Sequence, residues 1–375
     1  MASCKRPEDP TRTPPPRVPL TTLTEVTTFA IGTDEHAAAT GLTAWVDRSE
    51  RGKLRLTGGD AKEFLQGQIS NDVLALTPGT GCYAAFLTPK GKMLGDLRIL
   101  DTGAELLLDT ERVALQELFN MIRRFSVGHD VALHKRTVER GLISLLGPGC
   151  ERLIGAPGLP ATEHAHLVAE IDGIEVRAVR TDTGIDLICE SQRTTVLTSA
   201  LTARGAEPIS EAAAECVRIE RGRPRYGIDL DDTVIPQEAG LNDRAVSFQK
   251  GCYVGQETVA RLFYRGKPNR QLRGLRLNGP APAGSEIVFG ERLVGRLSSV
   301  AASRRFGDIG LALVRREAPP GSAVLVGEER VTAVVVELPF GPVDLGPADL
   351  GADRLGPDGL GPDGLDPDRL DARDR

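Results

Sequence analysis

The texture of the chain changes at Pro268, and that change limits the possible folds more than any other feature. Before it, runs of strand-like alternation give way to segments of helical period, and the cycle repeats. After it come six short strand-like runs, at 272–277, 286–288, 292–298, 309–314, 323–326 and 331–336, separated by Gly and Pro. Close-set strands with such turns mark a small antiparallel barrel or sandwich. Strand clusters followed by helices form sheets with helices on one face. The expected class is therefore α+β, with two α+β units over 34–267 and an antiparallel β-barrel over 268–338.

Within the first part, 54–56, 82–87, 93–100 and 105–108 read as strands, the middle pair joined through Pro89-Lys90-Gly91-Lys92. Asp60 with Glu63 resembles a capping box. Thr110 can cap a helix whose Leu115, Leu118, Phe119 and Ile122 fall at i, i+3, i+4 and i+7. A second set of strands follows at 167–171, 174–179 and 185–189, with Asp172-Gly173 as a hairpin signal. A Ser191-capped helix then runs toward Gly205.

Hydrophobic residues make up 40% of the chain and charged residues 26%, enough apolar material for a sizeable core. The net charge of −6 is concentrated at one end: 341–375 carries nine Asp and four Arg, so the rest is almost neutral. That gives wholesale nucleic-acid binding no support, and no direct nucleic-acid partner is expected. Cys4, Cys82, Cys150, Cys189, Cys216 and Cys252 contain no C-x-x-C pair. Such usage speaks for a reducing, cytoplasmic setting and against a thiolate metal site. His164-x-His166 has no third ligand in view and reads as two solvated loop histidines, so no metal is expected. No run of 18 apolar residues occurs, and no membrane span is expected. Residues 1–33, rich in Pro, Thr and charge, and 339–375, a Leu-led five-residue repeat with Gly and Pro in most copies, read as disordered tails.

Lys250-Gly251-Cys252-Tyr253-Val254-Gly255-Gln256-Glu257 is the most informative segment. Two glycines around a Cys-Tyr pair suggest a tight turn whose backbone can approach a ligand. If a helix opens near Gln256, its positive end would favour a thiolate at Cys252. The competing reading is an inert cysteine beside a structural turn.

This octapeptide resembles the near-diagnostic K-G-C-Y-x-G-Q-E run of the folate-binding family that includes the bacterial YgfZ proteins and their mitochondrial counterparts, relatives of the glycine-cleavage T-protein. Further blocks match in order: FLQGQISNDV from Phe64, YAAFLTPKGK from Tyr83, Arg218-Ile219-Glu220, Tyr226-Gly227-Ile228-Asp229, and PQEAGL from Pro236. The resemblance spans about 35–338 and omits both tails. It implies a three-domain cloverleaf of the T-protein type, with two interleaved, ferredoxin-like α+β units and the barrel set around a central hole. That hole would bind tetrahydrofolate or another reduced folate.

The resemblance also implies roles. Glu220 stands where the superfamily places its pterin-binding Glu, and a carboxylate can accept from two adjacent pterin N–H groups. Tyr83 matches an aromatic of the folate site. Asn71, Asp96, Arg223, Lys250, Gly251, Tyr253, Gly255, Gln256 and Glu257 complete the expected folate-binding set, with Arg225 and Arg261 as further candidates for the anionic glutamate tail. Asp96 matches one acid of an Asp-Asp-Leu stretch in the T-protein and could move a proton beside N5 or N10. Gly95 occupies the other acid's position. Asp96 and Cys252 are the expected catalytic residues.

The function so implied is a folate-binding accessory role in iron–sulfur cluster assembly or repair, and through radical enzymes in tRNA modification. Iron–sulfur client or assembly proteins would be the partners, because one thiol cannot hold a cluster alone. The alternative is a tetrahydrofolate-dependent aminomethyltransferase or demethylase, which the missing second acid and the Lys-Gly-Cys-Tyr run oppose.

Overall fold

The computed structural model describes residues 33–341, so the expected tails lie almost wholly outside the described residues. A five-stranded antiparallel sheet runs in the order Thr80–Leu87, Met93–Asp101, Leu106–Thr110, Gly52–Thr57, Ala132–Lys135. Its inward residues Leu54, Leu56, Leu97, Ile99 and Leu108 pack against Phe64 and Leu65 of helix Ala61–Gln66 and Leu118 and Ile122 of helix Leu115–Phe125. Period-2 and period-3.6 apolar patterns meet there in one core.

A second sheet runs Glu207–Pro208, Ala44–Asp47, Arg140–Leu146, Gly184–Glu190, Ile174–Arg180, His166–Ile171. Ile143, Leu145, Ile185 and Leu187 bury against Leu197 and Leu201 of helix Thr194–Ala203. Asp172 and Gly173 both have positive φ, 50° and 75°, which is the backbone a two-residue hairpin needs. The two units interleave. Strand Ala44–Asp47 precedes the whole first sheet yet pairs with Arg140–Leu146 and Glu207–Pro208 of the second.

Helix Glu211–Glu220, capped by Ser210 Oγ on the Ala213 amide, leads into a largely irregular segment and then helix Gln256–Arg265. A closed six-stranded barrel follows, in the order Arg270–Leu277, Gly307–Arg315, Arg292–Ser303, Glu286–Phe289, Ala323–Val326, Val331–Val336.

Local details depart from expectation. Thr110 ends a strand and its Oγ1 donates to Asp96 O, so helix Leu115–Phe125 starts without a side-chain cap. Asp60 accepts from the Asp130 amide instead of capping its own helix. A 3-10 turn, Ser191–Arg193, precedes helix Thr194–Ala203. Phe340 is buried beside Ile219, Leu272, Ile309 and Leu311, which carries the folded body past the expected limit at 338. No helix among the described residues is long and apolar enough to cross a membrane.

Candidate functional site

A cavity of about 210 Å³ lies where the two sheets face each other, closed by residues of the 211–245 segment. The hairpin Thr80–Leu87/Met93–Asp101 contributes Tyr83, Asp96 and Arg98, and the second sheet contributes Ser144 and Asp186. Glu215 and Arg218 come from helix Glu211–Glu220, and Arg223, Arg225, Tyr226 and Arg244 from beyond it. No barrel residue lines it. The barrel instead braces it from behind: Ser298 and Ser299 donate to Asp229, which holds Arg218 at 2.7 Å.

Seven arginines and seven carboxylates share the wall. Most are paired, because a buried charge without a partner is costly. Arg98 holds Asp186 at 2.6 Å while Ser144 Oγ donates to the other Asp186 oxygen at 2.7 Å. Burial alone would raise Asp109, but the adjacent Arg51 and Arg98 guanidiniums hold it well below the usual range. Asp96 differs. Burial pushes its carboxyl up to about 6, against the pull of the Tyr83 Oη hydrogen bond at 2.7 Å. The Tyr83 phenol is itself raised by burial and by Asp96, and the Arg244 guanidinium lies 5.3 Å over its ring. Arg98 Nε, Arg244 Nε and His164 Nδ1 are buried here without a hydrogen-bond partner in the protein.

Of the expected site residues, Tyr83, Asp96 and Arg223 line this cavity, and so does the further candidate Arg225; Arg223 Nε donates to Asp182 at 2.6 Å. Asn71 sits behind it, its Nδ2 donating to Tyr83 O and Arg244 O. Glu220 is elsewhere. Its Oε1 accepts from His36 Nε2 at 2.8 Å and from Ser303 Oγ, with Cys216 Sγ at 4.0 Å. At about 100° per helical residue, a position two beyond Arg218 points to the opposite side, away from the cavity. His36, Cys216 and Glu220 are also the one group of potential metal ligands found among the described residues, all buried. The hydrogen bonds just given all fall on Oε1, and Arg305 Nη1 lies 3.9 Å from Oε2.

The Lys250-to-Glu257 segment lies outside the cavity as well. Lys250 Nζ donates to the Gln66, Ile69 and Asn71 carbonyls, and burial lowers it to about 8. Tyr253 is buried among Ala85, Leu87, Met93 and Val259. Gly255, at φ 86°, caps helix Gln256–Arg265, and a Cβ there would meet Thr88 O at 2.6 Å. Gly251 faces open space, so its lack of a side chain serves no close approach. Cys252 is exposed, and Glu257 pairs with Arg261 on the surface. The turn and the helix start at Gln256 are as the sequence implies; the segment touches the cavity wall from behind, through Lys250 and the 66–71 loop and through the Tyr253 cluster on which Tyr83 and Tyr226 pack.

The histidine reading needs correction. His166 is 3% exposed and bonded to Arg177, and His164 lines the cavity. Burial, then Arg98 and Arg244, lowers His164 to about 3; burial, then Arg177, lowers His166 to about 4. Both are neutral at pH 7. Sequence reasoning also missed Arg98 and Asp186, whose signal was a charge set inside an apolar strand run.

Comparison with known proteins agrees with this architecture. The profile of the GCVT N-terminal domain matches residues 12–250, and that of the glycine cleavage T-protein C-terminal barrel domain matches 270–341. An aminomethyltransferase of Rubrobacter xylanophilus is 30% identical over 82% of this chain and 85% of its own length. The tRNA-modifying protein YgfZ of Colwellia psychrerythraea is 27% identical over 75% of this chain and 83% of its own. The crystal structure of the glycine cleavage system aminomethyltransferase T from Bartonella henselae superposes with a TM-score of 0.73 at 22% identity, covering 82% of this chain and 89% of that one. Two interleaved α+β units and a closed barrel are the architecture of a T-protein. The chain belongs to the glycine-cleavage T-protein family.

Proposed function

We propose that the cavity binds the pterin of tetrahydrofolate or another reduced folate, and that the chain is a folate-binding accessory protein for iron–sulfur proteins in a reducing, cytoplasmic setting. The buried Tyr83–Asp96 pair in a hollow of carboxylates, guanidiniums and aromatic rings carries this reading. A pterin edge offers adjacent N–H donors, for which Asp96 and Asp186 are the acceptors. Tyr83 and Tyr226 supply flat faces. The Arg98 and Arg244 guanidiniums, which line the cavity, are donors for a ring carbonyl, and Arg223 and Arg225 suit an anionic tail. At about 210 Å³ the cavity is smaller than the roughly 300–1,000 Å³ of a site that encloses a drug-sized ligand. A ring system fits inside, with the glutamate end outside.

Bound tetrahydrofolate supplies N5 and N10 as acceptors for a one-carbon unit. Asp96, raised to about 6, can hold or give up a proton near neutral pH, and Tyr83 fixes the orientation of its Oδ2.

Two observations favour the accessory role over transfer. A Cβ at Gly95 would lie 2.5 Å from the Phe86 ring, so this packing leaves no room for a second acid. Cys252 is presented on the surface, apart from the cavity and open to a thiol or cluster of a client or assembly protein. Similarity to a protein named for tRNA modification fits an indirect effect through cluster-dependent enzymes. The aminomethyltransferase reading rests on the protonation of Asp96 and on the name of the Rubrobacter relative.

Equilibrium dialysis against 5-formyltetrahydrofolate tests the site. Asp186→Asn and Tyr83→Ala should weaken binding about tenfold or more, roughly 1.4 kcal/mol, while Glu220→Gln leaves it unchanged. No binding to the unaltered chain overturns the pterin assignment. Cys252→Ala in a strain lacking the native protein tests the accessory role, read as activity of a cluster-dependent radical enzyme under oxidative stress. Full rescue removes Cys252 from the mechanism. Methylene-tetrahydrofolate formed from a methylamine donor would establish the transferase reading instead.

A further inference from the structure

Helix Gln256–Arg265 buries one residue, Val259. Ten residues are too few for a helix to sustain itself in water, so packing must hold it. At its far end Phe263 and Tyr264 are 44% and 67% exposed. Phe263 stacks on Phe248 at 3.8 Å, and Tyr264 meets these rings edge-on at 5.0 and 6.3 Å. Three aromatic rings thus form one ledge at the surface. Clustered exposed apolar groups mark a contact site in a way that scattered ones do not. Residues 256–267 hold Arg261, Arg265 and Lys267 against Glu257, a net +2, with Arg265 and Lys267 exposed and close in sequence to Phe263 and Tyr264.

The sequence beyond Gly341 has the complementary pattern. Residues 342–375 contain nine Asp and four Arg, a net of −5. Leu345, Leu350, Leu355, Leu360, Leu365 and Leu370 recur at every fifth position, each within two residues of an Asp. A leucine beside a carboxylate suits an aromatic ledge carried on a basic segment. Reach is no obstacle. A Gly-rich chain of 34 residues spans roughly 30–35 Å on average, against a radius of gyration of about 20 Å for a body of this size. Tethering also presents the repeats at about millimolar concentration, so a weak contact suffices.

We propose that the Leu-Asp repeats of 342–375 dock in cis on the ledge of Phe248, Phe263 and Tyr264, one repeat at a time, and cover the helix that follows Cys252. The repeats exchange on a single ledge, and salt weakens the contact because part of it is ionic.

Hydrogen exchange on the full chain tests this. One variant changes the six repeat leucines to Ser and leaves the helix untouched; a second, Arg265→Glu with Lys267→Glu, leaves the repeats untouched. The unaltered chain should protect the amides of 256–266 about threefold or more over either variant, and 1 M NaCl should remove much of that difference. Equal exchange in all three chains overturns the proposal. So does a leucine-dependent protection that falls on another surface, or one that grows with protein concentration and therefore arises between copies.

Discussion

Tyr83 and Asp96 meet across a hairpin without facing each other: Asp96 pairs in register with Ala85, and Tyr83 reaches it diagonally, Oη to Oδ2 at 2.7 Å. The bond stabilises the ionised carboxylate against burial, which pushes Asp96 up to about 6. Tyr83→Phe removes the donor and should carry Asp96 higher still, by about one unit. A carboxyl-detected NMR titration reads this directly. An Asp96 titration that stays in place would mean that the phenol does not set its protonation.

Stability should carry the signature of the same group. Asp96 binds its proton more tightly when folded than when unfolded, with a pKa of about 6 against 3.8. Between about pH 4 and 6 the folded state therefore holds more protons, and this contribution falls as pH rises through that window. His164 and His166, lowered to about 3 and 4, work in the opposite sense. The comparison must be a difference: relative to Asp96→Asn, the unaltered chain should lose about 2 kcal/mol between pH 4 and 7 in urea unfolding. Parallel pH profiles would reject the buried-acid account.

Lys250 pins the loop that carries Asn71. Lys250→Met keeps the aliphatic volume and strips the donor from the Gln66, Ile69 and Asn71 carbonyls. The expected cost is about 2–4 kcal/mol by chemical denaturation, with weaker folate binding because Asn71 supports Tyr83. A variant of native stability would show that water replaces the ammonium.

The two glycines of the octapeptide should separate cleanly. Gly255→Ala puts a Cβ 2.6 Å from Thr88 O at φ 86° and should cost about 2 kcal/mol or more. Gly251→Ala meets nothing within 4 Å and should stay within about 0.5 kcal/mol. Melting temperatures decide between them, and equal losses would mean that the turn differs from this one.

Much of the fold was legible because its signals are local. The alternation at 54–56, the Asp172-Gly173 turn and the Gly-punctuated strands after Pro268 each specify a short element by themselves. The site was harder to read for the opposite reason. Motif position placed Glu220 near a ligand, but helical phase turns it toward His36 and Ser303. Asp186 and Arg98 went unread as charges inside apolar strands, because only the approach of two sheets makes them partners at 2.6 Å. His164 looks like a loop residue until that same approach buries it. The caps failed similarly: Thr110 and Asp60 found acceptors or donors in other elements.

The place of strand Ala44–Asp47 has a consequence for how the chain is made. Ala44 pairs with Leu146 and with Glu207, the latter 163 residues later. At about 5–20 residues per second a ribosome takes roughly 8–33 s to deliver that partner. Until Arg140–Leu146 emerges, roughly 5–20 s in, the first sheet can close while the earlier strand stays unmated, and one edge of that strand then stays open until Glu207 arrives. Synthesis therefore has a built-in waiting period, and protection of the nascent amino-terminal strand by a holding chaperone would matter most during it.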